Sequence, residues 1–194
     1  MKLPVKRLRM FFLLSLLFLL SSCLGLGFDI VLNNNGSGTM ALEYRVSKSL
    51  DSLGRLDGNE SWNTIPVGRA DFERTLDRVP GLRLLSFSTR EEERDMVVNS
   101  RIEFETIQAL LAFLDAGGRR SYYRGDARSG HLTFTLSEGA EGNNSGINRL
   151  LSEVFDSYSV NMTMTFPNRR TVSYSFPIYE ILSSPEEIIV EFNW

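Results

Sequence analysis

The chain has 194 residues, with 21 Lys+Arg against 24 Asp+Glu, one His and one Cys. A single cysteine excludes an intramolecular disulfide framework, and a single histidine excludes any two-imidazole metal or acid–base set. The formal charge of −3, with no basic tract beyond the amino terminus denser than the pairs Arg119-Arg120 and Arg169-Arg170, argues against nucleic acid as a partner.

Lys2, Lys6, Arg7 and Arg9 open the chain, and an apolar run from Met10 to Leu20 follows, interrupted only by Ser15. A basic region before 7–15 apolar residues is the physical form of an export signal. The run is too short to cross a bilayer, which takes about 20 apolar residues. Leu20-Ser21-Ser22-Cys23 then resembles the lipobox of bacterial lipoproteins: a branched apolar residue, two small residues and a cysteine. The resemblance implies that Leu20, Ser21 and Ser22 are read by the signal peptidase, that cleavage falls before Cys23, and that Cys23 carries the acyl chains. Two or three such chains give stable attachment.

The expected organisation is therefore a signal peptide over residues 1–22 and a lipid-anchored domain over residues 23–194. All four basic residues of the signal leave with it, so 17 basic residues remain against 24 acidic ones, a charge of −7. The expected location is the bacterial cell envelope, on the periplasmic face or the cell surface. Only Leu24-Gly25-Leu26-Gly27 separates Cys23 from a strand expected to start at Phe28. Such a tether reaches about 15 Å when extended.

Phe28–Leu32 and Thr39–Val46 flank Asn33-Asn34-Asn35-Gly36-Ser37-Gly38, which reads as a β-hairpin around an Asn-Gly turn. Gly36-Ser37-Gly38 precedes a strand and lacks a phosphate-binding lysine, so it reads as a turn and not a phosphate loop. Ser47–Leu56 is expected as a short helix and Asp57–Val67 as a polar loop whose Trp62 packs down on the core. Gly68–Val79 is expected as a helix, with Phe72, Leu76 and Val79 on one face before Pro80-Gly81.

Leu82–Ser88 alternates, with Leu82, Leu84, Ser86 and Ser88 on one side. Thr89–Asp95 reads as a charged turn whose Glu91-Glu92-Glu93 splays into solvent, without the spacing of a calcium loop. Met96–Phe104 is a predicted strand, Thr106–Ala116 an amphipathic helix, and Ser121–Arg124 with His131–Leu136 a second hairpin. Ser137–Ser145 reads as a loop and Ile147–Tyr158 as a helix capped by Ser145. Val160–Phe166 and Thr171–Phe176 are predicted strands, Pro177–Leu182 a helical turn and Ile188–Trp194 the last strand. Met162 and Met164 share a face; such flexible thioethers suit core filling or the wall of an adaptable pocket. Interleaved strands and helices joined by short turns point to an α+β domain, a mostly antiparallel sheet with three to four helices on one face.

Catalytic signatures are absent. His131 opens a strand at a hairpin end, no Gly-x-Ser-x-Gly elbow exists, and neither His-Glu-x-x-His nor Cys-x-x-Cys occurs. No catalytic residue, metal or cofactor is expected, and the chain is read as a non-enzyme. An envelope hydrolase would have to use His131 or a converging acidic pair.

Cys23, a short gap, an apolar strand, Asn35-Gly36-Ser37-Gly38 and a second strand opening with Thr39-Met40 are similar to LppM-type bacterial lipoproteins. That resemblance implies an envelope α+β domain in contact with lipids. The functional expectation is a membrane-anchored binding module with a lipid-like molecule or an envelope protein as partner. The alternative is a structural or assembly lipoprotein without a small ligand.

Overall fold

The structure, a computed structural model, describes residues 25–48, 68–93, 95–115, 118–126, 129–139, 155 and 158–194. The signal, Leu20-Ser21-Ser22-Cys23, most of the expected helix over 47–56, the 57–67 loop with Trp62, and nearly all of the 140–157 stretch lie outside the described residues.

The first two strands, β1 (Leu26–Leu32) and β2 (Gly38–Ser47), form the expected hairpin, with Ile30 opposite Met40. β1 starts two residues earlier than the sequence suggests. Its turn is fixed locally: Asn33 N–H donates to the Ser37 carbonyl (2.8 Å), Asn35 Oδ1 accepts from Ser37 N–H and Oγ–H, and Gly36 takes φ +83°. Only a residue without Cβ occupies that backbone region freely.

Helix α1 (Arg69–Leu76) follows, shorter than expected because Pro80 bars helical backbone just before it and Gly81 turns at φ +85°. Strands β3 (Leu82–Glu91) and β4 (Asp95–Phe104) pair antiparallel, with a register shift between Leu84 and Ser86. The simple alternation expected for Leu82–Ser88 therefore breaks. The bulge leaves Leu85 43% exposed and sets Phe87 opposite Ser100, with its ring 5.4 Å from that of Phe72 on α1. One extra residue reverses a strand's facing, and here it exchanges a serine for a phenylalanine at the core.

Helix α2 (Ile107–Leu114) is capped by Thr106, whose Oγ1 accepts the Ala109 N–H at 3.1 Å. Next come β5 (Ser121–Gly125), β6 (Gly130–Ser137), β7 (Ser159–Thr165), β8 (Thr171–Pro177), helix α3 (Ile178–Ser183) and β9 (Ile188–Asn193). The fold is mixed and strand-rich, with a large, mostly antiparallel sheet of order β3-β4-β2-β1-β7-β8; β1 and β7 run parallel.

The expectation of one sheet needs correcting. β5, β6 and β9 form a separate three-stranded sheet. Its inward residues Leu132, Phe134, Val190 and Phe192 join Ile30, Met40, Ile102 and Met164 of the large sheet in one core. Phe192 bridges them, with ring centroids 5.3 Å from Tyr174 and 6.5 Å from Phe166. Tyr174 also donates its hydroxyl to the Glu191 carbonyl of β9 (2.8 Å). The second sheet thus covers inner surface that helices were expected to cover.

Candidate functional site: an apolar cavity between the sheets

Where β1 and β7 face β6, and the ends of α2 and α3 approach, the core does not close. A cavity of about 260 Å³ remains. Leu26 and Phe28 of β1 and Val160 and Met162 of β7 form one wall, and Phe134 and Leu136 of β6 face them. Leu114 at the end of α2 and Ile181 of α3 complete the apolar lining. Alternation explains the wall: even-numbered residues of both parallel strands point inward, with Leu26 beside Val160 and Phe28 beside Met162.

Two charged residues stand at this cavity, Asp115 and Arg120. Asp115 follows α2 directly, and its Oδ2 accepts from Arg120 N–H (2.7 Å), Ser121 N–H (2.8 Å) and Ser121 Oγ–H (3.0 Å). Desolvation alone would raise its pKa, but these hydrogen bonds outweigh it and hold the carboxyl below its ordinary value. Asp115 is thus saturated by the start of β5. Arg120 is held far less firmly, with Nε 3.9 Å from Glu138 and both side chains exposed. The site offers an apolar chamber, one loosely engaged guanidinium and a carboxylate already occupied. That combination suits an apolar chain ending in a polar or anionic group.

The residues singled out in the sequence fall as follows. Leu20, Ser21, Ser22 and Cys23 lie outside the described residues. Met162 lines the cavity, whereas Met164 is a fully buried core residue. His131 lies on the other side of β6 from Leu132 and Phe134, its Nδ1 2.6 Å from Asn193 Oδ1 and its Nε2 3.0 Å from Thr133 Oγ1. Both ring nitrogens are engaged, away from the cavity.

The expected charged turn over 89–95 needs correcting, because β3 runs on to Glu91; Glu92 does not splay into solvent but pairs with Arg45 (2.5 Å) and Arg90 (2.6 Å), and Glu91 pairs with Lys48 (3.4 Å). Among the described residues, no three His, Cys, Asp or Glu side chains gather as a metal site. Nor is any helix among them long and apolar enough to cross a membrane. Asp115 and Arg120 escaped sequence reasoning; the one local signal is an acid directly after a helix, followed by Arg-Arg-Ser at the next strand. No protein-family model matches the chain, and neither does any curated protein.

Proposed function

We propose that this chain is a bacterial envelope lipoprotein, anchored through acyl chains on Cys23, whose single α+β domain is a non-catalytic module binding a lipid-like ligand. In this reading the helices pack together on the inner face of the large sheet, around the site. The observation that carries the proposal is the cavity wall at Leu26. Leu26 lies three residues after Cys23, so even a fully extended linker keeps its Cα within about 11 Å of the Cys23 Cα. A ligand leaving the bilayer would need little travel through water. At about 260 Å³ the chamber lies just below the usual range of ligand pockets, room for part of one acyl chain and not for a whole diacyl lipid.

The test is native mass spectrometry with lipid extraction of the full-length protein purified from membranes. A co-purifying acyl species, displaced by Met162→Trp, supports the reading. A ligand-free protein that also fails to take up a fluorescent fatty acid refutes it. The assembly alternative would act through a sheet edge or through the 57–67 loop, which lies outside the described residues; β3 and β8 are the edges of the large sheet, and β3 is the one that carries a bulge. The β3 edge is blunted by that bulge and by Arg83, Arg90 and Glu91, devices that oppose strand addition.

A further inference from the structure

The opposite face of the large sheet holds a second depression, of about 430 Å³. Its geometry follows from register. Gly27 pairs with Glu43 and Asp29 with Ala41, so these four occupy a two-by-two block on the outer face. The residues with little or no side chain, Gly27 and Ala41, sit at two opposite corners, and the carboxylates of Asp29 and Glu43 rise at the other two. The block is thus a diagonal trough between two acidic banks. It continues on one side to Asn161, beside Gly27, and on the other to Arg101, opposite Ala41. Phe28 and Leu42 alternate to the core side and lend the trough only backbone.

Gly27 needs explaining. Glycine inside a strand is unfavourable, and it often marks the close approach of a ligand or another backbone. Two neighbouring glycines are required by packing: a Cβ on Gly38 would collide with the Val31 carbonyl and the Phe104 ring, and one on Gly25 would press on Ile178 and Tyr158. A Cβ on Gly27 would meet only the Glu43 carbonyl at 3.8 Å, ordinary contact, and its φ is not positive. Nothing in the fold demands a glycine there. Its effect is to keep the trough floor low.

Asn161 and Thr163 at one end of the trough are engaged by Ser159 and Ser173, but the charged side chains around the floor are uncommitted. Among the described residues, none of Asp29, Glu43, Asn99 or Arg101 has a side-chain hydrogen bond or ion pair, whereas Arg83 and Glu103 on the same face pair with each other. We infer that this trough is a binding site for a linear, neutral, hydroxyl-rich ligand, a glycan strand. Carboxylates can only accept, and a guanidinium can only donate. A hydroxyl does both and satisfies each in turn. An anion would be repelled by the two carboxylates, and an acyl chain laid between them would have to strip water from both without returning a hydrogen bond. The trough crosses five strands at about 4.8 Å each, so it is long enough for an oligomer.

The test is calorimetric titration of the full-length protein in detergent with neutral gluco- and manno-oligosaccharides of increasing length. Binding that strengthens with length is expected. Gly27→Val should weaken it at least tenfold with no loss of melting temperature, because the added methyls fill the trough and not the core. Glu43→Gln should also weaken it, while fatty-acid uptake by the inner cavity stays unchanged in both variants. Vesicles carrying the same sugars as glycolipid headgroups separate the two sources. Binding of the free form assigns a polysaccharide, binding of the vesicle-borne form alone assigns a headgroup, and binding of neither overturns the inference. Undiminished binding by a folded Gly27→Val protein overturns it equally.

Discussion

The contrast between Gly27 and Gly38 makes the sharpest test of the packing argument. The two lie 11 positions apart in one hairpin, both in extended backbone, and Gly→Ala at each adds the same methyl group. At Gly27 that methyl makes one ordinary contact. The strand loses the entropic penalty of glycine and gains about 0.5–1 kcal/mol. At Gly38 the methyl overlaps a backbone carbonyl and a fully buried ring, neither of which can yield cheaply. Overpacking of that kind costs about 1–3 kcal/mol. For a domain of this length 1 kcal/mol moves the midpoint by about 2–4 °C. Gly27→Ala should therefore raise the melting temperature by about 1–4 °C and Gly38→Ala lower it by about 2–12 °C. Thermal unfolding followed by circular dichroism, with urea midpoints as a check, measures both. A Gly27→Ala protein as destabilised as Gly38→Ala would show that the trough floor is structurally occupied, and the steric reading would be wrong.

Three further outcomes follow from single residues. Phe72, 1% exposed and against the Phe87 and Phe113 rings, should cost about 3–5 kcal/mol on replacement by alanine, read as a shift in urea midpoint without a change in slope. Glu92 is pushed up by desolvation, but its hydrogen bonds and charge contacts with Arg45 and Arg90 outweigh this and hold its pKa below the ordinary 4.5. A depressed carboxyl contributes stability above the unfolded-state pKa and loses it as pH falls through the folded-state value. Glu92→Gln should therefore be less stable than the parent at pH 7, with the gap closing below pH 4.5; parallel melting curves from pH 7 to 3 would count against the pairing. Cys23→Ser should abolish incorporation of radiolabelled palmitate into the protein, and retained label would remove the anchor from the argument.

Features encoded within a few residues were legible in the sequence. The hairpin of β1 and β2 was readable because Asn33, Gly36 and Ser37 make a turn without outside help, and α2 because Thr106 caps it and four apolar residues share one face. The strands of the smaller sheet were visible as alternation in Leu132, Phe134, Val190 and Phe192. The β5–β6 hairpin was readable as well, but the pairing of β6 with β9 was not, since the same alternation serves either sheet and the choice lies in contacts some 60 residues apart. The parallel β1–β7 pairing, more than 130 residues apart, is invisible for the same reason. The bulge at Leu85 could not be read either, because it answers to Phe72 on another element. Of the candidate site, the sequence pointed to Met162 only together with Met164, and as core filling before pocket wall; both are buried, and Met162 alone also lines the cavity. Arg120, Asp115 and Leu136 were not legible, because five elements must converge before the cavity exists. Gly27 was misread as tether because a glycine before an apolar run looks like a spacer.

Strand β1 shows why the two sites belong to one design. Its even residues Leu26 and Phe28 line the apolar cavity, and its odd residues Gly27 and Asp29 line the polar trough. The two sites are thus the two faces of one pleated strand, separated by a single backbone thickness. A one-residue slip in register would carry every side chain to the other face. Such a slip would put Asp29 into the cavity and Phe28 onto the trough floor, destroying both sites together. The register is secured on both sides, by seven pairs to β2 closed by the Asn33–Ser37 turn and by six pairs to β7. Cys23 precedes the strand by only three residues. A residue inserted at 24–25 would lengthen the tether by about 3.5 Å and leave both sites intact, whereas one inserted after Gly27 would abolish both. If the proposed anchor and sites hold, position along these few residues decides whether a change acts on the attachment at Cys23 or on the two faces of β1.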